Sequence, residues 1–339
     1  MSFEIRGLRE DELEEHAELL HKSYEEFITQ GRGFLAAPDW WLTNVRRDPY
    51  YRPEQTRVLL VDGRMVASVS NYERPMYCAG RVAKVGAIGS VATHPDHRRK
   101  GYAREVLAES LRWMHSSGFD FSFLFGNYQV YGRSGWSLLT ALEIAAQVRA
   151  PQEAGGLKVR PAQFPADISV LAALYDEFNA PLTGPFARSR EYWEKRVTGG
   201  YFHDRSVEFR VVEDKGTPVG YFRGATPGQV PELAWKRGDG QLPARVVGAI
   251  LAHWPELEEV HFSLYTPELL AALKPFVWAP SFDAWGVRQS SIRLMERYKG
   301  LWTYIGPGGG VFPAVRDTNT LLRFLRENDY VFWSGVDSF

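Results

Sequence analysis

The order strand, helix, hairpin occurs twice in this chain of 339 residues, the second copy starting about 153 residues after the first. Phe3-Glu4-Ile5-Arg6 reads as a short strand. Leu13, Ala17, Leu20, Tyr24 and Phe27 then recur at alternating intervals of four and three, the spacing of an amphipathic helix. Arg57 to Val61 and Met65 to Asn71 flank Asp62-Gly63, a pair suited to the positive φ angles of a two-residue hairpin turn. In the second half the series returns as Leu157-Lys158-Val159-Arg160, a helix over Ile168 to Phe178, and a hairpin pairing Phe209 to Glu213 with Val219 to Phe222. Trp193 echoes Trp40-Trp41. A repeat of this length is too long for a solenoid unit and implies two copies of one α+β domain.

The polar, Pro/Gly-containing stretch Pro151 to Gly156 has the character of a linker, so the expected division is residues 1–150 and 157–290. Residues 291–339 hold a Gly-rich turn, Gly306 to Gly310, and one amphipathic helix over Thr318 to Glu327. They are expected to form a short C-terminal extension. The predicted class is therefore α+β (mixed α/β), with two tandem domains, each a twisted, mostly antiparallel sheet flanked by helices.

With 40 Lys+Arg against 41 Asp+Glu, no bulk charge draws the chain to nucleic acid or to a membrane surface. The only cysteine, Cys78, excludes an internal disulfide and a Cys-rich metal site. His94 and His97 share a turn without a third ligand at suitable spacing, so no metal is expected. The acidic start MSFEIRGLREDELEEH lacks the apolar run of a signal peptide, and no segment approaches the roughly 20 apolar residues of a membrane span. A cytoplasmic protein is expected; homo-oligomerisation is left open.

The segment with most chemistry is the junction after Val85 to Thr93, an apolar run ended by the turn His94-Pro95-Asp96-His97. From Ala103 onward Val106, Leu107, Ser110, Leu111 and Met114 fall on one face at helical spacing. The basic turn Arg98-Arg99-Lys100-Gly101-Tyr102 thus joins a strand to a helix. Unpaired N–H groups and the macrodipole at a helix start favour a bound phosphate. Gly101 permits close approach, Ala103 leaves room beside the helix start, and Arg98, Arg99, Lys100 and Arg104 supply neutralising charge. Neither a Walker loop nor the dinucleotide fingerprint is present.

Arg98-x-x-Gly101-x-Ala103 resembles the Q/R-x-x-G-x-G/A motif with which the GNAT N-acetyltransferases bind the pyrophosphate of acetyl-CoA. The resemblance implies that main-chain groups of Val91, Ala92 and Thr93 pair with the pantetheine arm, at a splay between this strand and the next. It sets Asn127 beside that arm and Tyr131, in Tyr131-Gly132-Arg133-Ser134-Gly135-Trp136, at the thioester. Acetyl-CoA is the implied cosubstrate, with Tyr102 among the residues of its cradle.

The tandem plan is similar to the Eis-like (enhanced intracellular survival) branch. That branch implies Tyr131 as general acid and the terminal carboxylate, here on Phe339, as base, with a degenerate second domain. Lys236-Arg237-Gly238-Asp239-Gly240 stands where the second cradle is expected, its Asp unfavourable to diphosphate. The branch carries a longer C-terminal domain than the 49 residues here. The implied acceptor is a primary amine of a small molecule or a protein lysine; a non-catalytic acyl-CoA sensor or protein-interaction module is the alternative.

Overall fold

The computed structural model describes residues 2–29, 38–149, 155–198, 208–279, 281–282, 285, 288–306, 312 and 314–328. The first half runs β1 (Phe3–Gly7), α1 (Leu13–Thr29), α2 (Pro38–Arg47), β2 (Thr56–Val61), β3 (Arg64–Cys78), β4 (Arg81–Thr93), α3 (Tyr102–Ser116), β5 (Phe121–Leu124), α4 (Tyr128–Tyr131) and β6 (Ser137–Gln147). The second runs β7 (Lys158–Pro161), α5 (Ile168–Asn179), β8 (Thr183–Phe186), α6 (Arg190–Tyr192), β9 (Phe209–Asp214), β10 (Thr217–Arg223), β11 (Gln229–Val230), β12 (Glu232–Trp235), α7 (Leu242–Ala252), β13 (Glu259–Phe262) and α8 (Pro267–Leu273). Then follow β14 (Ser281–Phe282), β15 (Arg288–Gln289), β16 (Ile292–Tyr304) and α9 (Thr318–Glu327). The fold is mixed α/β, as expected.

Both hairpins form, the first at the foreseen turn. Asp62 and Gly63 take φ of 49° and 78°, and Lys215 and Gly216 take 49° and 83° between β9 and β10, which lets two residues reverse each chain. The principal sheet has the order β1-β2-β3-β4-β5-β16-β6-β13-β11, with β8 added along β3, while β12-β10-β9-β7 form a separate antiparallel sheet. Strands of the second half, β8, β11 and β13, therefore complete the sheet begun by the first.

The segment after residue 290 is not an appendage. β16 lies between β5 and β6, antiparallel to both, with Trp302 opposite Phe123 on one side and Ser137 on the other. Its Leu301 and Trp302 are buried because each face of this central strand meets a packed layer. Trp302 stacks on Phe123 with ring centroids 4.9 Å apart. The sequence named no strand over residues 292–304, whose partners β5 and β6 stand far away in sequence.

Helices α1 and α2 cover one face of the first sheet through Leu13, Ala17, Leu20, Trp41 and Val45, and α3 covers the other through Val106, Leu107 and Met114. The second core gathers α5, α7 and α8 around β9 to β13 and takes in Ile144, Ala146 and Val148 from the first half. Asp48 accepts from Arg74 at 2.6 Å and from Arg196 at 2.8 Å, all three buried, so one carboxylate ties the two halves together. Removing it would take the shared carboxylate from two buried guanidiniums, which is the costly way to break such a cluster. Among the described residues no helix is long and apolar enough to cross a membrane.

Candidate active site

Two backbone events open the sheet. β4 and β5 are parallel and in register from Val85/Phe121 to Ile88/Leu124, where their pairing ends. Past that point β4 continues along β3 to Thr93, so Gly89 to Thr93 form one arm of a V. A bulge coincides with the parting: Ser70 faces Gly89 and Ser68 faces Ala92, so β4 spends one residue more than β3 there.

The turn after β4 leaves a row of donors. The N–H groups of His97 and Arg98 donate to the carbonyls of His94 and Pro95, and the next to find an acceptor is Arg104, on the carbonyl of Gly101. The five N–H groups from Arg99 to Ala103 have no acceptor among the described residues. Gly101 at φ 82° caps α3, and Arg99 at φ 64° turns the loop back toward it. Consecutive N–H groups curled at the start of a 15-residue helix make an anion-binding concavity.

A cavity of about 700 Å³ opens on this row. Thr93, Arg98, Arg99, Gly101, Tyr102, Ala103 and Arg104 line one side, while Gln129, Val130, Arg133 and Ser134 close it from the α4 side. His97 also contributes, its imidazole held below the ordinary range by burial, then by Lys100 and His94. Val91, Ala92, Lys100, Asn127 and Tyr131 are not among the residues that line this cavity.

Several of these residues have prior engagements. The Arg98 guanidinium donates to the Ser23 carbonyl at 2.9 Å and approaches Glu26, so its side chain braces α1 against the loop. The Val91 carbonyl accepts from the Tyr24 hydroxyl at 2.7 Å. The Asn127 carboxamide oxygen accepts the N–H of Gln129 at 2.8 Å, capping the short α4. Lys100 and Tyr102 follow the loop, Tyr102 stacking on His97 at 6.1 Å.

Tyr131 ends α4 and packs edge-on to Trp136, with centroids 6.5 Å apart. Burial raises its pKa, so the phenol keeps its proton at neutral pH. Its hydroxyl has no hydrogen-bond partner among the described residues. Tyr24 adjoins it, its own pKa raised by burial and then by the neighbouring Tyr131 and Tyr72. Phe339 lies outside the described residues.

The corresponding turn of the second half is filled from within. The Arg237 N–H donates to Glu177 at 2.7 Å, and the Gln241 N–H donates to Asp239 at 2.8 Å, before α7 begins. Two carboxylates thus occupy donors that an anion at this turn would need. Tyr24, Gln129 and Ser90 went unassigned in the sequence, because Tyr24 reads as a core position of an amphipathic helix and the others carry no motif.

Residues 4–139 match the family model of the acetyltransferase (GNAT) domain. These residues carry an acetyltransferase (GNAT) domain. No curated protein matches its sequence. Among solved structures it is similar to a GCN5-related N-acetyltransferase from Anabaena variabilis (TM-score 0.66, 12% identity, 90% of this chain and 73% of that one). It is also similar to Eis1 from Mycobacterium abscessus (TM-score 0.59, 17% identity, 90% and 74%). A probable N-acyltransferase from Enterococcus faecalis has a TM-score of 0.61 at 13% identity, over 90% and 72%. The resemblance to the Eis-like branch is thus a resemblance of fold over most of the chain.

Proposed function

We propose that the protein transfers the acetyl group of acetyl-CoA to a primary amine, of a small molecule or a protein lysine, by direct attack through a tetrahedral intermediate. The observation that carries this reading is the row of five open N–H groups from Arg99 to Ala103 beside a 700 Å³ cavity. The diphosphate lies on that row, with Arg99, Lys100 and Arg104 adding charge. The pantetheine arm follows Ala92 and Thr93 into the V between β4 and β5. Val91 offers its N–H there, since Tyr24 already bonds its carbonyl.

The acceptor attacks as the free base, and the departing thiolate takes a proton. Tyr131 supplies that proton, because burial keeps the phenol neutral and its hydroxyl is uncommitted. The terminal carboxylate of Phe339 is the base in this reading. The second half, with Glu177 and Asp239 on its cradle donors, leaves one acetyl-CoA per chain.

The test mixes protein, acetyl-CoA and a panel of primary amines and follows free thiol. Amine-dependent release supports transfer. Tight CoA binding without release with any amine points instead to a sensor.

A further inference from the structure

Among the described residues five non-glycine residues have positive φ: Asp62, Ala79, Ser90, Arg99 and Lys215. Three of them, Asp62, Ala79 and Lys215, precede a glycine in a hairpin turn, where such angles are required. Arg99 shapes the anion cradle. Ser90, at φ 48°, sits in the bulge where β4 leaves β5. An L-residue in that region costs about 1–2 kcal/mol and persists only where its surroundings hold it.

What holds Ser90 is a chain of three side chains. The indole Nε1 of Trp41 donates to the Tyr72 hydroxyl at 2.9 Å, and that hydroxyl lies 2.9 Å from Ser90 Oγ. Trp41 and Tyr72 are buried, and Ser90 is half-buried at the exposed end. An indole N–H can only donate. The Tyr72 hydroxyl also meets Ser70, and either oxygen of the Tyr72–Ser90 pair can donate; in the arrangement where Tyr72 passes its proton to Ser90, the Ser90 proton points onward and the chain ends in a donor. Such a chain matches an oxygen that gains negative charge and mismatches an ammonium. Hydrogen bonds in series also polarise one another.

In the acetyl-CoA reading the pantetheine arm runs from Arg99 to Ala103 along Thr93 and Ala92 toward the apex of the V, which brings the far end of the molecule to Ser90. We propose that the Ser90 hydroxyl donates a hydrogen bond to the acyl oxygen of the bound thioester, with Tyr72 and Trp41 as positioning residues. This rests on the acetyl-CoA reading above. As the amine nitrogen bonds to the carbonyl carbon, the π pair moves onto that oxygen, where a preoriented donor acts most strongly. When the intermediate collapses, the pair returns and the C–S bond breaks.

The experiment records the carbonyl resonance of [1-13C]acetyl-CoA bound to wild type, Ser90→Ala and Tyr72→Phe, together with each protein's affinity for CoA, which lacks the acyl oxygen. A donor at the oxygen moves the wild-type resonance downfield of free acetyl-CoA. Ser90→Ala brings it back toward the free value and slows thiol release about 100-fold; Tyr72→Phe does the same in smaller measure. CoA affinity stays within about twofold in all three, which a general loosening of the fold would not produce. An unchanged resonance in Ser90→Ala overturns the inference, and if that variant does not fold, an unchanged resonance in Tyr72→Phe does so. Wild type that binds neither acetyl-CoA nor CoA overturns the functional reading itself; CoA binding with an undisplaced carbonyl overturns only the role of Ser90.

Discussion

The ring of Tyr131 lies directly over Gly126, so that a β-carbon at Gly126 would stand 2.5 Å from Tyr131 Cε2 and 2.9 Å from Cδ2. No side chain can replace this hydrogen without moving the ring. Gly126→Ala is therefore expected to displace Tyr131 while leaving the cradle intact. Thiol release should fall at least tenfold, as it should in Tyr131→Phe, with acetyl-CoA affinity within about twofold of wild type. Wild-type turnover at saturating substrates in either folded variant removes Tyr131 from the mechanism.

Gly101 presents the opposite case, since conformation and not space restricts it. A β-carbon there meets only Arg104 Nη2, at 3.8 Å, yet φ is 82°. Gly101→Ala should cost about 1 kcal/mol of stability from the left-handed backbone alone. Relief of that strain rotates the loop N–H groups away from the cavity, and acetyl-CoA affinity should drop about tenfold. Calorimetric titration checks it; unchanged affinity would mean that the N–H row does not bind the diphosphate.

Burial sets a pH dependence through His16. The ring is fully buried, its Nε2 lies 2.9 Å from Ser68 Oγ, and Trp41 meets it edge-on at 4.3 Å. Desolvation lowers its pKa from the ordinary 6.5 to about 3. Between those values the unfolded chain binds a proton that the native state does not, so stability is full above about pH 6.5 and falls as pH drops toward 3. The loss approaches about 1.4 kcal/mol per pH unit at its steepest. His16→Gln keeps a partner for Ser68 but cannot titrate, so its unfolding free energy should fall less steeply from pH 6.5 to 4 in urea titrations. Parallel curves for the two proteins would exclude His16 as the source.

What the sequence made legible was local. The helix of α5, the turn at Asp62-Gly63, and the basic junction between β4 and α3 each follow from neighbours a few residues apart. The chain Trp41-Tyr72-Ser90 was not legible, because it joins α2, β3 and β4, and each residue reads alone as packing or strand. Tyr24 was hidden the same way, its hydroxyl reaching Val91 from a helix position that periodicity assigns to the core. β16 was out of reach altogether, since Met295, Gly300 and Leu301-Trp302 break its alternation and nothing local records which strands flank it.

The terminal carboxylate has its own test. If the Phe339 carboxylate takes the amine proton, two residues appended after it move the charge away and should lower turnover by about 100-fold, with acetyl-CoA affinity unchanged. Equal thiol release from the extended and native chains would assign the base elsewhere.

β16 makes the first half depend on the end of the chain. Trp302 is buried between β5 and β6 and stacks on Phe123, on the strand that leads to Asn127 and Tyr131. Trp302→Ala leaves a cavity beside Phe123 and should cost about 3–5 kcal/mol, visible as an earlier urea midpoint with an unchanged slope. A chain cut after residue 290 loses more, because β5 and β6 are then left with open inner edges in the middle of the principal sheet. That truncated chain should be aggregation-prone and unable to bind acetyl-CoA, even though it keeps every residue of the cradle. Addition of a peptide spanning residues 291–339 should recover binding in part. A soluble 1–290 chain that binds acetyl-CoA with wild-type affinity would show that the splay between β4 and β5 stands without its far neighbour.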